Sequence, residues 1–410
     1  MKRKLYLITK TFPHEGGETA FLSPEFPYLL KNFDVTVITT ETVMESPKAS
    51  SEINIDLQTN LLDKLSGVLR FLFHADAWKE LSDIMHSGHD RMHQIFRGLM
   101  FGAAAENFYR ELRKVTGMCR ETDAIYYFYW ADYKCFGLTM HHRKYPHIHI
   151  VARTHGYELY DEREIYGRQF FKPQMDRELD RLVFVSEYGK NYYLHRYSKK
   201  DSEKYPLHRL GIRKHEDKAP YVLRNKEFVL VSCSNVVDIK RIDLIIDALA
   251  LVEEPVRWIH IGDGTLRSKL QNRAKEVLGT KKNITYEWKG VLSNKEVMEF
   301  YRQQPVHCFI TTTSTEGGNP VSIQEALSYG IPVIGTKISD IPYMVEGNGI
   351  LLCENPTPRE IAEAITQMCQ MEEKTYYEWR ENAYQKYLRF YNADKLHPEM
   401  IAELMGLRDR

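Results

Sequence analysis

Apolar and polar positions along the chain alternate in the manner of strands that are each followed by an amphipathic helix. Residues 4–10 are predicted as a strand, 19–33 as a helix and 34–40 as a second strand, with a glycine-containing loop before the helix. This order is a βαβ unit, and its strands are parallel because the helix carries the chain back across the sheet. The pattern returns to strand at 124–131 and at 147–154.

Residues 61–115 show helical periodicity without strands. In "LLDKLSGVLRFLFHADAW" apolar residues recur every three or four positions, with basic residues between them. Two interpretations are open: the helices pack on the sheet with their charges in solvent, or the apolar stripe and its bases make a peripheral contact with anionic lipid of the inner membrane. The bases are Lys64, Arg70, Lys79, Arg91, Arg97, Arg110, Arg113 and Lys114.

A second series of alternating strands and helices follows an irregular, charged stretch at 199–226 that contains two prolines. We place a domain boundary there, between an N-terminal domain of residues 1–207 and a C-terminal domain of residues 208–391. A last helix, at about 392–410, could pack back on the first domain. Both halves alternate strands with helices, which predicts an α/β fold of two doubly wound domains facing each other across a cleft.

Composition narrows the class of protein. Of 410 residues, 43% are hydrophobic and 27% charged, and acids and bases number 56 each, so no overall positive charge attracts nucleic acid. Six scattered cysteines without a CxxC pair indicate a reducing compartment, with neither disulfides nor a zinc site. The apolar runs are too short for a signal peptide or a transmembrane helix. We therefore expect a cytoplasmic protein.

Candidate chemistry lies in the loops after the strands, where open parallel sheets bind ligands. The loop "TSTEGGNP" leads into a helix that Asn319 can cap, with Pro320 at its first position. Gly317 and Gly318 allow a ligand to approach the backbone, and the helix start offers unpaired N–H groups to a phosphate. Three other loops of this half are "CSNVVDIKR", "GDGTLR" and "WKGVLSNKE". The first of them adds the positive charges of Lys240 and Arg241.

Two glutamates flank this predicted phosphate cradle. Glu316 lies on the loop, and Glu325 lies one to two turns into the helix. One carboxylate could accept hydrogen bonds from a ribose diol while the other faces the group attached to the phosphates, which suits a nucleotide-sugar. Taken singly, each would be an ordinary loop or helix acid. Their combination with the glycine turn and Lys240 favours ligand binding.

The segment "STEGGNPVSIQEALSYGIPVIGT" resembles the carboxylate-pair motif of the family 4 retaining glycosyltransferases, which have the GT-B fold. Other pieces agree in order, including "HEGGE", "VARTHGYELY", "FVSEYGK", "DIKRIDLIIDAL" and "IGDGTLRSKL". The resemblance spans nearly the whole chain and is weakest in 45–120 and the last twenty residues. Two departures stand out: eight residues instead of seven separate the glutamates, and Asn235 replaces a frequent arginine.

The resemblance implies two Rossmann-like domains and transfer of a sugar, with retention, from a nucleotide-diphosphate-sugar to a hydroxyl of a glycan or lipid-linked glycan. A role in surface polysaccharide synthesis would follow. It assigns catalysis to His155, Glu316 and Lys240, with His155 near the hydroxymethyl group of the donor sugar. No cofactor and no metal are expected; His147 and His149 share a strand face without an acidic neighbour in sequence. The expected donor-binding residues are Gly16, Gly17, Asn235, Arg241, Gly262, Gly264, Gly290, Val291, Gly317, Gly318, Asn319, Pro320, Val321, Ser322 and Glu325.

Three more residues are candidates for the crevice of the first half, and two rival functions remain open. Glu158 and Arg153 belong to the same segment as His155, and Ser186 either lines the crevice or caps a helix. A nucleotide-sugar epimerase on the same fold would need acid and base groups at the sugar's C2, for which no pair is identifiable. A non-catalytic nucleotide-sugar binding protein would be expected to lack Glu316, His155 or Lys240.

Overall fold

A computed structural model describes residues 2–14, 18–41, 51–57, 60–86, 90–118, 123–215, 218–221 and 227–407. The chain divides into two compact units, one of residues 1–209 with 397–410 and one of residues 210–396. The boundary predicted from the sequence lay between residues 207 and 208. Among the described residues, no helix combines the length and apolar character needed to cross a bilayer.

The first unit alternates strands and helices around a helical insertion. Its strands are β1 (Lys4–Ile8), β2 (Asp34–Thr39), β3 (Glu52–Asn54), β4 (Ile125–Phe128), β5 (His149–Thr154) and β6 (Arg181–Phe184). Its helices are α1 (Thr19–Asn32), α2 (Leu61–Phe71), α3 (Ala75–His86), α4 (Arg91–Thr116), α5 (Tyr133–Thr139), α6 (Lys172–Glu178) and α7 (Glu187–Arg196). Short 3-10 turns at His142–Lys144 and Asp161–Arg163 complete it.

Within the described part of the chain, the six strands of this unit form a parallel sheet in the order β3-β2-β1-β4-β5-β6. Helices cover both faces of the sheet, and each strand contributes side chains to both cores because successive side chains point to opposite faces. In β1, Tyr6 and Ile8 join a core that includes α4 and α5, whereas Leu5 and Leu7 join one that includes α1 and the C-terminal helix. The strand order reverses between β1 and β4, which is where doubly wound sheets bind ligands.

The helical insertion packs through small residues. At Gly102 of α4, an added Cβ would lie 2.3 Å from the Phe71 ring, and at Gly67 of α2 it would lie 3.0 Å from the Ala103 carbonyl oxygen. Glycine therefore permits the close contact of α2 with α4. The opposite side of α2 is exposed.

The second unit repeats the same plan. Its strands are β7 (Phe228–Cys233), β8 (Val256–Ile261), β9 (Ile284–Gly290), β10 (Cys308–Thr311), β11 (Val333–Thr336) and β12 (Gly349–Leu352). Its helices are α8 (Ile242–Leu249), α9 (Arg267–Leu278), α10 (Asn294–Gln303), α11 (Val321–Ser328), α12 (Ile341–Val345), α13 (Pro358–Gln370) and α14 (Glu373–Phe390). The last helix, α15 (Ala393–Met405), begins in this unit and continues into the first.

The six strands described in this unit also form a parallel sheet, in the order β12-β11-β10-β7-β8-β9. Read from β9 to β12, the strands of this unit stand in the order third, second, first, fourth, fifth, sixth, as in the first unit. The order reverses between β7 and β10. Phe228 and Leu230 of β7 face a core that includes α8 and α13, and Val229 and Val231 face the core of α11 and α14. The predicted ligand loops follow β7 and β10, so they meet at the reversal point.

Candidate functional site

Lys240 and Glu316 meet at the reversal point of the second sheet. Lys240 ends a 3-10 turn (Asp238–Lys240) after β7, Glu316 lies after β10, and the ammonium forms an ion pair with the carboxylate. The Thr312 hydroxyl donates to the carbonyl oxygens of Lys240 and Arg241 at 3.0 and 2.9 Å, which holds the two loops together. Both side chains are largely buried, so a phosphate entering here would compete with Glu316 for the Lys240 charge.

Arg241 is occupied by backbone oxygens. Its guanidinium donates to the carbonyls of Thr312 at 2.6 Å, Thr313 at 2.9 Å and Glu354 at 2.8 Å. These contacts brace the loops after β10 and β12. Among the two cations predicted to meet phosphate, Lys240 is therefore the one that the structure directs toward Glu316, while Arg241 supports the loops.

The turn into α11 differs from the predicted cap. The helix begins at Val321 with Pro320 as its cap residue, and no side chain provides a capping hydrogen bond. The prediction that Asn319 caps the helix with Pro320 at its first position is therefore wrong. Asn319 instead donates to Asp340 at 3.3 Å, and the proline ψ of 119° carries the chain into the helix.

The backbone around this turn keeps the features of an anion site. Gly318 adopts φ 147°, a conformation that side chains rarely allow, and its carbonyl accepts a hydrogen bond from Ser339. Gly317 is half-buried before it. The N–H groups of Val321 and Ser322 belong to the first turn of α11, where intrahelical partners do not exist. The structure thus brings the predicted glycines and helix start next to Glu316.

Glu325 is a buried carboxylate in α11. It is 6% exposed and accepts a hydrogen bond from the Asn294 amide at the start of α10. Burial raises its pKa to about 8, while the hydrogen bond from Asn294 acts in the opposite direction. The protein thus holds a poorly compensated acid at the position predicted to bind the ribose.

The remaining second-unit candidates shape the loops through backbone. Gly262 (φ 136°) has no room for a Cβ, which would lie 1.9 Å from the Ser234 carbonyl oxygen, and its N–H donates to the Gly290 carbonyl at 2.8 Å. Gly264 is similarly close to Val236. Asn235 and Val291 are exposed. These residues line the edge formed by the loops after β7, β8 and β9.

His155 is held in the first unit directly after β5. Its backbone N–H donates to Glu158 Oε1 at 2.8 Å, its Nδ1 lies 3.3 Å from the same oxygen, and its ring packs 4.3 Å from that of Trp130. His155 Nε2 and Glu158 Oε2 are buried and have no hydrogen-bond partner within the described residues. Glu158 thus fixes the imidazole and leaves Nε2 available to a ligand.

A cavity of about 350 Å³ adjoins Glu158 at the carboxyl ends of the first sheet's strands. Lys134 pairs with Asp132 at 2.7 Å, and the Tyr157 hydroxyl donates to the same carboxylate at 3.0 Å. Lys10 lies 4.1 Å above the Tyr157 ring. Aromatic faces with a few placed polar groups are typical of small-ligand pockets.

Gly16 and Gly17 lie outside the described residues. Glu18, which is described, holds the backbone of residues 10–12 after β1. Its carboxylate accepts the backbone N–H groups of Lys10, Thr11 and Phe12 at 2.7–3.0 Å, and the Trp130 indole N–H as well. Trp130 in turn packs on His155. Glu18 therefore links the loop after β1 to the candidate histidine.

Ser186 and Arg153 have structural partners. Ser186 caps α7 by accepting the Gly189 N–H at 3.0 Å, as one of the two sequence interpretations held. Arg153 forms a buried ion pair with Glu25 at 2.6 Å, and Tyr127 donates to that carboxylate at 3.1 Å. Burial raises the pKa of Glu25, but the charges of Arg153 and His397 and the hydrogen bonds from Arg153 and Tyr127 together produce a net lowering.

Replacing Arg153 with methionine should lower the free energy of unfolding by about 3–5 kcal/mol, because Glu25 would remain buried without its cation. The measurement is urea unfolding of the full chain. The Glu25→Leu/Arg153→Met double variant should recover a large part of the loss. A single-variant cost below about 1 kcal/mol would contradict the role of this pair.

Three residues with contacts to the candidate site were not predicted from the sequence: Asn294, Glu18 and Trp130. Asn294 follows the helix-capping Ser293 within "LSNKE", so its local signal was that of a helix start. Glu18 belongs to "HEGGE", in which only the two glycines indicate a phosphate-binding loop. Trp130 ends an apolar run that reads as strand core. Each acts through a partner that is distant in sequence, which no local pattern contains.

One family model matches most of the second unit. Residues 213–386, less than half of the chain, match the family model described as glycosyl transferases group 1. No curated protein matches the sequence. The family match supports a glycosyltransferase.

Solved structures resemble the whole chain. The lipopolysaccharide outer core galactosyltransferase WaaB has a TM-score of 0.68 at 17% identity and covers 98% of this chain and 99% of its own. Anabaena Alr3699/HepE in complex with UDP and glucose gives 0.67 at 14%, covering 99% and 100%. S. aureus TarM, in complex with fondaparinux, alpha-GlcNAc-glycerol and UDP, gives 0.65 at 12%, covering 98% and 100%. The likeness shows the GT-B fold of two Rossmann-like domains.

Proposed function

We propose that this protein is a retaining glycosyltransferase that moves a sugar from a nucleotide-diphosphate-sugar to a hydroxyl of a glycan or lipid-linked glycan. The observation that carries the proposal is the Lys240–Glu316 ion pair at the β7/β10 reversal point, directly before the glycine turn and α11. It places a cation, a carboxylate and free N–H groups together, with the buried Glu325 in the same helix.

In this proposal each group has one task. The diphosphate replaces Glu316 as the partner of Lys240 and receives the N–H groups at the start of α11, which stabilise the charge that develops as the leaving group departs. The ribose hydroxyls donate to Glu325. Glu316, released from Lys240, accepts hydroxyls of the transferred sugar. In the first unit, His155 Nε2 is available to a sugar hydroxyl.

The proposed reaction breaks one bond, forms one bond and transfers one proton, and it uses no further reactant. The anomeric C–O bond to the diphosphate breaks while the acceptor oxygen forms a new bond on the same face of an oxocarbenium-like sugar. The acceptor proton passes to the leaving phosphate oxygen. Lys240 carries the electrostatic role, so the proposed transfer needs neither metal nor cofactor. The cavity beside Glu158 would hold hydroxyls of the acceptor.

UDP-sugars are the first donors to test, because two of the similar structures contain UDP. The experiment is a thermal-shift screen of the full chain with UDP-, GDP-, ADP- and dTDP-sugars, with and without EDTA. A donor at a hundredfold its dissociation constant should stabilise the fold by about 2.7 kcal/mol. Absence of a shift with every nucleotide would overturn the proposal.

The reaction products separate the rival functions. With a binding donor and a glycan acceptor, NMR of the product should show a new glycosidic bond with the donor's anomeric configuration. An epimerase would return an altered sugar without forming that bond. A non-catalytic protein would bind the nucleotide-sugar and leave it intact. His155→Gln should lower kcat while leaving UDP affinity unchanged, since His155 contacts only the sugar.

An exposed apolar surface on the helical insertion supports a peripheral membrane contact. On α2 the exposed leucines occupy one face, and Phe73, just after it, is 90% exposed. Trp78 adds an exposed indole, and Lys64 and Lys79 are exposed beside them. An apolar patch of this kind, bordered by bases, suits an anionic lipid surface. The leucines are Leu61, Leu62, Leu65 and Leu69.

The double variant Leu65→Glu/Leu69→Glu should abolish co-sedimentation with vesicles containing phosphatidylglycerol. The variant loses two leucine side chains that would enter the bilayer, and it places two negative charges at the anionic lipid surface. Leu251→Glu, at an exposed leucine of the second unit, is the matched control and should sediment as the wild type does. Equal sedimentation of the double variant would exclude this surface as the contact.

A further inference from the structure

Three side chains in the first unit converge away from the proposed donor residues. His74 lies in the turn between α2 and α3, Glu106 lies in α4, and His141 follows α5. One ligand atom from each lies within 4.8 Å of the other two. The three come from separate elements, so the fold rather than the local sequence assembles them.

Both imidazoles are directed at one carboxylate oxygen. Glu106 Oε2 lies 2.7 Å from His141 Nε2 and 3.6 Å from His74 Nε2. The two rings are perpendicular, and the His141 ring stacks on Tyr109 with centroids 3.7 Å apart. Tetrahedral zinc with bonds of about 2.0–2.1 Å needs ligand atoms roughly 3.3 Å apart. Small shifts of these side chains would create that spacing.

Burial leaves one side of the cluster open. Glu106 and His141 are buried, whereas His74 is half-buried. A further ligand can therefore approach an ion held by the three side chains from the side of His74. Imidazole nitrogens and carboxylate oxygens are ligands that zinc binds in proteins.

Lys144 competes with a metal at this cluster. Its ammonium lies 3.2 Å from His141 Nδ1, and an ammonium can only donate, so Nδ1 accepts and the proton of a neutral His141 is on Nε2. A metal on Nε2 would displace that proton and disfavour the Lys144 contact. Lys144 is exposed and can move into solvent.

We propose that His74, Glu106 and His141 form a site for one Zn²⁺ ion, with water as a fourth ligand on the open side. Two imidazoles and a carboxylate are a known zinc set. The ion would join the α2–α3 turn, α4 and the end of α5, and thereby stabilise the helical insertion. The site contains none of the residues proposed for sugar transfer, and it departs from the sequence-based expectation that the protein binds no metal.

The test uses the EDTA-treated and dialysed full chain, titrated with Co²⁺ as a spectroscopic probe and then with Zn²⁺. The wild type should bind one Co²⁺ with the visible bands of four-coordinate cobalt, lose them on adding Zn²⁺, and melt at a higher temperature with Zn²⁺. His74→Gln and Glu106→Gln should each weaken binding by at least about tenfold, since even the loss of an outer partner costs that much.

Two further variants define the site. His86→Gln removes an exposed histidine of α3 outside the cluster and should bind Co²⁺ as the wild type does. Lys144→Met removes the competing ammonium and should bind at least as tightly. A wild type without cobalt bands, or His74→Gln and Glu106→Gln variants that bind normally, would overturn the site. Because UDP-sugar binding is read separately, failure of one proposal does not affect the other.

Discussion

Lys240→Met is expected to lower kcat/KM for sugar transfer by about 10²–10³, comparable to removing one preorganised donor from an oxyanion site. Lys240 forms an ion pair with Glu316 and is the cation that we propose binds the diphosphate. Methionine keeps the apolar length of the side chain and removes its charge. Steady-state kinetics with the donor found by thermal shift provide the measurement.

Two companion variants make this result interpretable. Lys218→Met removes a lysine of the same unit that pairs with Glu381, and its kinetics should match the wild type. Glu316→Gln frees Lys240 from its carboxylate, so UDP should bind at least as tightly while transfer is lost. If Lys240→Met retained full activity, or if Glu316→Gln abolished UDP binding, the assigned roles would be wrong.

Glu325→Gln is expected to stabilise the unliganded protein at alkaline pH and to weaken donor binding. The pKa of Glu325 is raised to about 8 by burial, against 4.5 ordinarily, so the folded state holds more protons than the unfolded state between these values. The free energy of unfolding therefore falls as pH rises through that window. Glutamine removes this fall, and above pH 8 the gain would reach up to about 5 kcal/mol.

The same substitution should weaken UDP binding by about 10- to 150-fold. Glutamine can still accept from Asn294, but it replaces one carboxylate oxygen with an amide NH2 group that cannot accept from a ribose hydroxyl. Above its pKa the carboxylate is charged, and a hydrogen bond to a charged group contributes about 1.5–3 kcal/mol. Chemical unfolding at pH 5 and pH 8.5, with calorimetric titration of UDP, tests both effects. Equal stability of the two proteins at both pH values would contradict the buried-acid assignment, and unchanged UDP affinity would contradict the ribose role.

A protein that becomes more stable and binds less well on losing one charge would place Glu325 among residues kept for function at a cost in stability. The Glu25–Arg153 pair is the contrasting case. There the buried acid has a cation at 2.6 Å, and removal of that cation should only destabilise the folded protein. Burial raises the pKa of both glutamates, and the net shifts are opposite because only Glu25 has a counter-charge beside it.

Local pattern predicted most of the strands and helices and their order, but not β3, α5, α6 or α12. The βαβ start, the helical insertion and the second series follow from hydrophobic periodicity, which is a property of neighbouring residues. The loops that carry Lys240, Glu316 and Gly317 also follow, since ligands bind after the carboxyl ends of parallel strands. The predicted Asn319 cap failed because the Asp340 side chain, from a later loop, engages that amide.

The sequence by itself determined that two α/β halves each place charged loops after their strands. It did not determine strand order, so it did not show that the loops after β7 and β10 are neighbours and that Lys240 meets Glu316. Nor did it show that Asn294 reaches Glu325, that Glu18 fastens the loop next to Trp130, or that His74, Glu106 and His141 converge. These contacts join residues from about thirty to more than a hundred positions apart, and burial, which sets the Glu325 pKa, exists only once the sheet and its helices have packed.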